Sequence, residues 1–164
     1  MISNTLRLKL QVSFLFFCMG NICRSPLAEG YLKKKTSHLN TIKVKSSGTH
    51  KYHIGSPPDP RSIALAKEFE IDISGYRASH LSQHDLSSYD FIYALDSNNL
   101  EYFINHYPSH KDKCSLITQF NPLTQDVPDP YYGDMSDFES SFSMIREACD
   151  NIIRQKLSFL EASL

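Results

Sequence analysis

Residues 12–29 read VSFLFFCMGNICRSPLAE, and the way this stretch turns decides the fold. Val12 to Phe17, apolar but for Ser13, has the length and composition of a buried parallel strand. It stops at Cys18-Met19-Gly20-Asn21-Ile22-Cys23-Arg24-Ser25-Pro26, and Pro26 suits the first turn of a helix that continues through Leu27, Ala28 and Glu29. The order is strand, tight loop, helix. A thiol opens the loop and a guanidinium closes it, in the pattern Cys-x5-Arg-Ser.

The spacing has a chemical reason. A loop from Cys18 to Arg24 can curl so that successive backbone N–H groups point inward, and the following helix adds its positive N-terminal end. Such a cup holds a tetrahedral oxyanion, and thiols in positive surroundings of this kind ionise readily to the nucleophilic form. Arg24 offers two parallel N–H donors to two phosphate oxygens, a geometry lysine cannot supply. One loop therefore carries both a nucleophile and a phosphate clamp. Reading the same stretch as a secretory or lipoprotein leader fails on the short apolar run, the bulk of Phe17 and the helix that follows at once. A zinc half-site from Cys18 and Cys23 lacks a second Cys/His pair of suitable spacing.

Working outward, the chain of 164 residues with 41% hydrophobic content reads as one globular domain over residues 12–164, preceded by a polar lead at 1–11. A formal net charge of -1 without a basic stripe argues against nucleic acid as partner. No apolar run approaches the roughly 20 residues of a membrane span. Four cysteines, at 18, 23, 114 and 149, do not resemble a secreted disulfide framework, so a reducing cytoplasm is expected.

Three further strand–helix alternations follow. Ile42, Val44 and Ser46 alternate with Lys43 and Lys45, as on an edge strand. Asp59-Pro60 caps and opens a helix through Phe69. Residues 71–86 are less regular, with a helical turn near Ser82 to Leu86. Phe91 to Leu95 is a third strand, followed by a helix from Asp96-Ser97-Asn98 to about Tyr107. Cys114 to Thr118 is a fourth strand, and a long helix begins at Asp137, with Phe138, Phe142, Ile145, Cys149, Ile152 and Leu160 along one face. The alternation predicts a single-domain, doubly wound, four-stranded parallel sheet with helices on both faces and the Cys18 loop after the first strand, where ligands bind in such sheets.

Phosphoryl transfer to a thiolate also needs a proton donor for the departing oxygen. The segment from Gln119 to Ser136 holds three prolines and no periodicity, so it reads as a functional loop. Within it Pro128 and Pro130 bracket Asp129, fixing a carboxylate at a rigid position beside Tyr131 and Tyr132.

Cys18 to Glu29, Pro57-Pro58-Asp59-Pro60-Arg61, Leu95-Asp96-Ser97-Asn98-Asn99-Leu100 and Asp129 to Gly133, in this order, resemble the low-molecular-weight protein tyrosine phosphatases. The resemblance implies hydrolysis of phosphotyrosine in proteins without metal or cofactor. It implies that Cys18 becomes a phosphocysteine, that Arg24 and the amides of Met19, Gly20, Asn21, Ile22 and Cys23 hold phosphate or similar oxyanions, and that Asp129 is the general acid and then base. By the same resemblance Asn21 props the loop, Ser25 steadies the thiolate and Ser47 supports it from behind. Tyr52 stands where the family often has Trp and walls the substrate slot together with Tyr131 and Tyr132, and Cys23 can trap oxidised Cys18 as a reversible disulfide.

The chain departs from the family after Gly75, where Tyr76-Arg77-Ala78-Ser79 replaces His-Arg-Ala-Arg, and in its longer N-terminal lead. Three alternatives share the fold or the cup. An arsenate reductase needs a cysteine relay, whereas Cys114 and Cys149 fall on a strand and a helix. A protein-arginine phosphatase has Thr where this chain has Ile22. A silent phosphopeptide-binding module has no need of both Cys18 and Asp129. His50, His53, His80 and His84 lack the carboxylates that would complete a metal site.

Overall fold

All of β1 (Val12–Cys18) is buried. The computed structural model, which describes residues 11–158, sets this strand inside a four-stranded sheet. β2 (Ile42–Gly48) pairs with β1 on one side and β3 (Phe91–Ala94) on the other, both parallel, and β4 (Cys114–Leu116) continues beyond β3. The order is β2-β1-β3-β4, so the lysine-bearing strand lies at an edge as expected.

Because side chains alternate along a strand, β1 feeds two cores. Val12, Phe14, Phe16 and Cys18 pack with α1 (Arg24–Lys35), α2 (Pro60–Glu68) and α4 (Met135–Lys156). Leu15 and Phe17 pack on the other face with Leu81, Leu86, Tyr89 and Phe103 of α3 (Ser97–His106). Burying each of these large side chains contributes about 1.5–3 kcal/mol, which is why the strand carries no polar alternation. The apolar face read for the last helix is the buried one through Ile152; Leu160, and the lead at 1–11 apart from Gln11, lie outside the described residues.

Local chemistry sets the boundaries. Asp59, Asp96 and Asp134 cap α2, α3 and α4, each side chain accepting from a first-turn amide. The last helix starts at Met135 because Asp134 and Asp137 satisfy each other's backbone N–H groups in a capping box. α1 starts at Arg24, ahead of Pro26, whose missing N–H costs nothing among amides that have no helical partner. The fourth strand ends at Leu116 because Ile117–Phe120 tightens into a 3-10 turn, and residues 81–88 form two further short turns capped by His80 and Asp85.

Candidate active site

The carboxyl ends of β1, β2 and β3 meet beneath the loop from Cys18 to Arg24. Gly48 closes β2 against it: a Cβ there would lie 2.7 Å from the Met19 carbonyl oxygen. Asn21 bends the loop with a left-handed backbone (φ 57°), a conformation asparagine tolerates. α1 has no side-chain cap and no acidic residue in its first turn, so its N-terminal amides remain for an external anion.

Behind the loop a hydrogen-bonded chain reaches the thiol. Cys18 Sγ lies 3.0 Å from Ser25 Oγ, and Asn21 Nδ2 donates to the same hydroxyl at 2.8 Å. With that lone pair taken, the Ser25 proton is free to point at the sulfur, its other acceptor being the Ser47 carbonyl at 3.3 Å. Asn21 Nδ2 also donates to Ser46 Oγ at 2.9 Å, and Ser46 Oγ donates to Glu29 Oε1 at 2.8 Å. Ser47 therefore meets Ser25 through its backbone, while its own hydroxyl faces Ser79 O. The hydroxyl that steadies Asn21 is that of Ser46, a residue the sequence reading did not single out. Ser79 supplies its backbone N–H to Asn21 Oδ1 at 3.0 Å, and its side chain turns to His84. A main-chain donor thus serves the loop where the family pattern has a second arginine.

Arg24 is 2% exposed. Its Nη1 donates to Asp96 Oδ2 at 2.6 Å and to the Val127 carbonyl at 2.9 Å, and Nη2 lies 3.6 Å from Asp129 Oδ2. Burial disfavours its charge, but Cys18, Asp96 and Asp129 outweigh that and raise its pKa above the ordinary guanidinium value. Asp96 does two jobs, one oxygen on Arg24 and the other on the Asn99 amide as helix cap. The sequence starts a helix at Asp96 but discloses neither its capping bond nor its pairing with Arg24.

The irregular segment before α4 is tied on four sides. Val127 N–H donates to Leu95 O at 2.9 Å, Ser141 Oγ donates to Pro128 O at 2.8 Å, and Asp126 accepts from Ser97. Arg61, held by Asp59, donates to the carbonyls of Tyr131 and Gly133 at 3.0 and 3.1 Å. Asp129 is thereby fixed at the rim with Oδ1 accepting from the Tyr131 amide.

These elements enclose a cleft of about 260 Å³ with Cys18, Ile22 and Arg24 at its lining and Asp129 among them. Met19, Gly20 and Cys23 also line it, as do the rings of Tyr52, Tyr131 and Tyr132. Tyr52 and Tyr132 are 85% and 97% exposed, so their rings stand at the mouth rather than in the floor. His50 and His53, which the sequence places near the site without a role, join the lining: His50 stacks on Tyr52, and His53 lies so close over Gly20 that a Cβ there would be 3.0 Å from its ring. Burial, followed by the charges of Cys18, Asp59 and Asp129, pushes the Cys23 thiol up, so it is protonated beside the nucleophile. Cys114 and Cys149 are free thiols outside the lining. Among the described residues no three His, Cys, Asp or Glu side chains group as a metal site, and no helix is long and apolar enough to cross a membrane.

The sequence model of the low molecular weight phosphotyrosine protein phosphatases matches residues 13–159. The chain belongs to this family. The low molecular weight protein-tyrosine-phosphatase PtpA of Staphylococcus saprophyticus is 34% identical over 145 residues, covering 87% of this phosphatase and 92% of its relative. Among solved structures, a protein tyrosine phosphatase from Entamoeba histolytica, with Hepes in its active site, superposes with a TM-score of 0.83 at 31% identity, covering 94% of this chain and 100% of the other. Wzb of Vibrio vulnificus, in complex with benzylphosphonate, superposes with a TM-score of 0.81 at 28% identity over 88% and 98% of the two chains.

Proposed function

We propose that this phosphatase hydrolyses phosphotyrosine monoesters in proteins through a phosphocysteine intermediate, with residues 12–164 as the catalytic domain and 1–11 as its lead. The observation that carries the reading is the meeting of Cys18, Arg24 and Asp129 in one cleft whose mouth is set with Tyr52, Tyr131 and Tyr132. Arg24 Nη2 and the loop amides hold the equatorial phosphate oxygens, while Nη1 stays anchored on Asp96. The Cys18 thiolate attacks phosphorus as the P–O bond to the ring breaks, and protonated Asp129 gives its proton to the leaving phenol oxygen. Asp129, now a carboxylate, takes a proton from water whose oxygen attacks phosphorus. The S–P bond breaks, and inorganic phosphate and the Cys18 thiolate are released. Ser25 donates to the sulfur each time it carries charge. The depth of the cup and the aromatic mouth suit a flat ring ester, and Ile22 gives the ring an apolar contact. A cytoplasmic, reducing setting keeps the nucleophile reduced, and Cys23 stands by to capture an oxidised Cys18 as a disulfide.

The test is a side-by-side assay of phosphotyrosine, phosphoserine, phosphoarginine and arsenate. Phosphotyrosine is expected to be the preferred substrate. Cys18→Ser should abolish turnover while retaining oxyanion binding, and substantial residual turnover rules out the thiolate route. Asp129→Asn should slow esters with poor leaving groups far more than activated aryl esters; equal losses remove Asp129 from the acid role.

A further inference from the structure

A second concavity of about 470 Å³ lies behind the loop and shares no lining residue with the front cleft. Three separate segments bring cations to it: Lys33 from α1, Lys43 and Lys45 from β2, and Arg77 from the stretch that departs from the family pattern. Against these four stands one carboxylate, Glu29, 5% exposed. Lysines on an edge strand discourage pairing with another sheet, but that role does not gather Lys33 and Arg77 around the same hollow. Among the described residues Lys43, Lys45 and Arg77 make no ion pair, and Lys33 is the cation on Glu29, at 2.5 Å. The ring faces of Tyr76 and Tyr89 are taken by Lys33 and Lys43, each 4.7 Å from a centroid, which leaves ammonium groups rather than a stacking platform toward a ligand. His84 adds no charge, since burial, then Lys43 and Lys45, lower its pKa.

We propose that this rear cleft binds a compact phosphate chain, such as an inorganic polyphosphate or the triphosphate of a nucleotide, and that its occupancy is transmitted to Cys18. The route is already built. Glu29 accepts from Ser46 Oγ, Ser46 accepts from Asn21, Asn21 donates to Ser25, and Ser25 touches the sulfur. A polyanion competing for Lys33 leaves the charge of Glu29 to Ser46 alone, which draws that hydroxyl away from Asn21 and loosens the prop of the loop. The predicted effect on turnover rests on the phosphatase reading; the binding itself does not.

The experiment titrates inorganic tripolyphosphate, and separately ATP, into isotope-labelled full-length protein whose front cleft is saturated with benzylphosphonate, following backbone amides by NMR. Saturable shifts at Glu29, Lys45, Tyr76 and Arg77, with those of Gly20 and Ile22 following only through the loop, are expected. The stronger of the two ligands names the source of the phosphate chain. Lys45→Glu and Arg77→Glu, both on exposed side chains, should each weaken binding about tenfold while keeping wild-type turnover without ligand. In the activity arm, saturating tripolyphosphate should lower kcat on an aryl phosphate several-fold at unchanged KM, and the effect should vanish in the double variant. Absence of rear-cleft shifts, equal affinity in the charge-reversed variants, or inhibition confined to apparent KM overturns the proposal. Rear binding without any aryl phosphatase activity would instead retire the catalytic reading and keep the site.

Discussion

Asp96 shows how much one carboxylate can carry. It spans the end of β3, the start of α3 and the buried guanidinium of Arg24, to which it lies at 2.6 Å. Removing one partner of a buried pair strands the other charge, at a cost of about 3–5 kcal/mol, and a lost helix cap adds about 1 kcal/mol. Asp129, 3.6 Å away on the other nitrogen, partly compensates for Arg24. Asp96→Ala is therefore expected to lose about 3 kcal/mol in urea unfolding and to weaken oxyanion binding, because a guanidinium released from its anchor no longer presents Nη2 in one place. Asp96→Asn, which keeps an acceptor for the Asn99 amide, should lose less stability but still weaken the oxyanion. Unchanged oxyanion affinity in both variants would free Asp96 from any part in the site. At this scale the sequence disclosed residues whose chemistry is concentrated in a short motif, Cys18, Arg24 and Asp129. It concealed those whose role comes from a neighbour far along the chain: Asp96 on Arg24 and Ser46 on Asn21.

Among elements, periodicity and capping chemistry made strands and helices readable, because both are short-range properties. The ends that moved did so for local reasons, a capping box at Asp134 and a 3-10 turn after Leu116. The segment leading to α4 was readable only as a loop, since what orders it is Arg61 and other long-range ties. Asp59 and Arg61 form the unit that joins α2 to this acid-bearing loop. The hydrogen bonds of the Arg61 side chain are the largest influence on Asp59; burial opposes them, the Arg61 amide adds to them, and the net effect holds its pKa below the usual carboxylate range. Since the folded pKa is the lower one, the stability Asp59 contributes is fully present above the unfolded value near 3.9, and is lost as pH falls through the folded value. The gap in Tm between wild type and Asp59→Asn should thus be steady from neutral pH to about pH 5 and shrink below it. A gap that widens in acid would contradict the assignment. Arg61→Ala should lower kcat for unactivated esters, with a smaller effect on activated ones, because it loosens the position of Asp129 and leaves the Cys18 cup intact.

For the whole molecule, the two cores fed by β1 should have separable consequences for the site. Phe142 lies in the larger core, edge-on to Tyr31 and Phe69, and pins α4 to α1 and α2. Phe103 lies in the smaller core against Phe17, 5.3 Å between ring centroids, and seats α3. Either truncation to Ala opens a cavity where no side chain can collapse fully, at about 3–5 kcal/mol, which for a chain of this size lowers Tm by about 10 °C. Their effects on the cup should differ. α3 is the helix that Asp96 caps, so when its seating loosens the anchor of Arg24 moves with it. Phe142 sits on a helix whose tie to the site, Ser141 to Pro128, holds the backbone next to Asp129 rather than the phosphate clamp. Calorimetry combined with titration of an oxyanion separates the two: at matched loss of Tm, Phe103→Ala should bind the anion more weakly than wild type, and Phe142→Ala should bind it normally but protonate poor leaving groups slowly. The same anion affinity in both variants would mean that the doubly wound sheet transmits packing defects to the site evenly, and that the division of labour between its two faces does not exist.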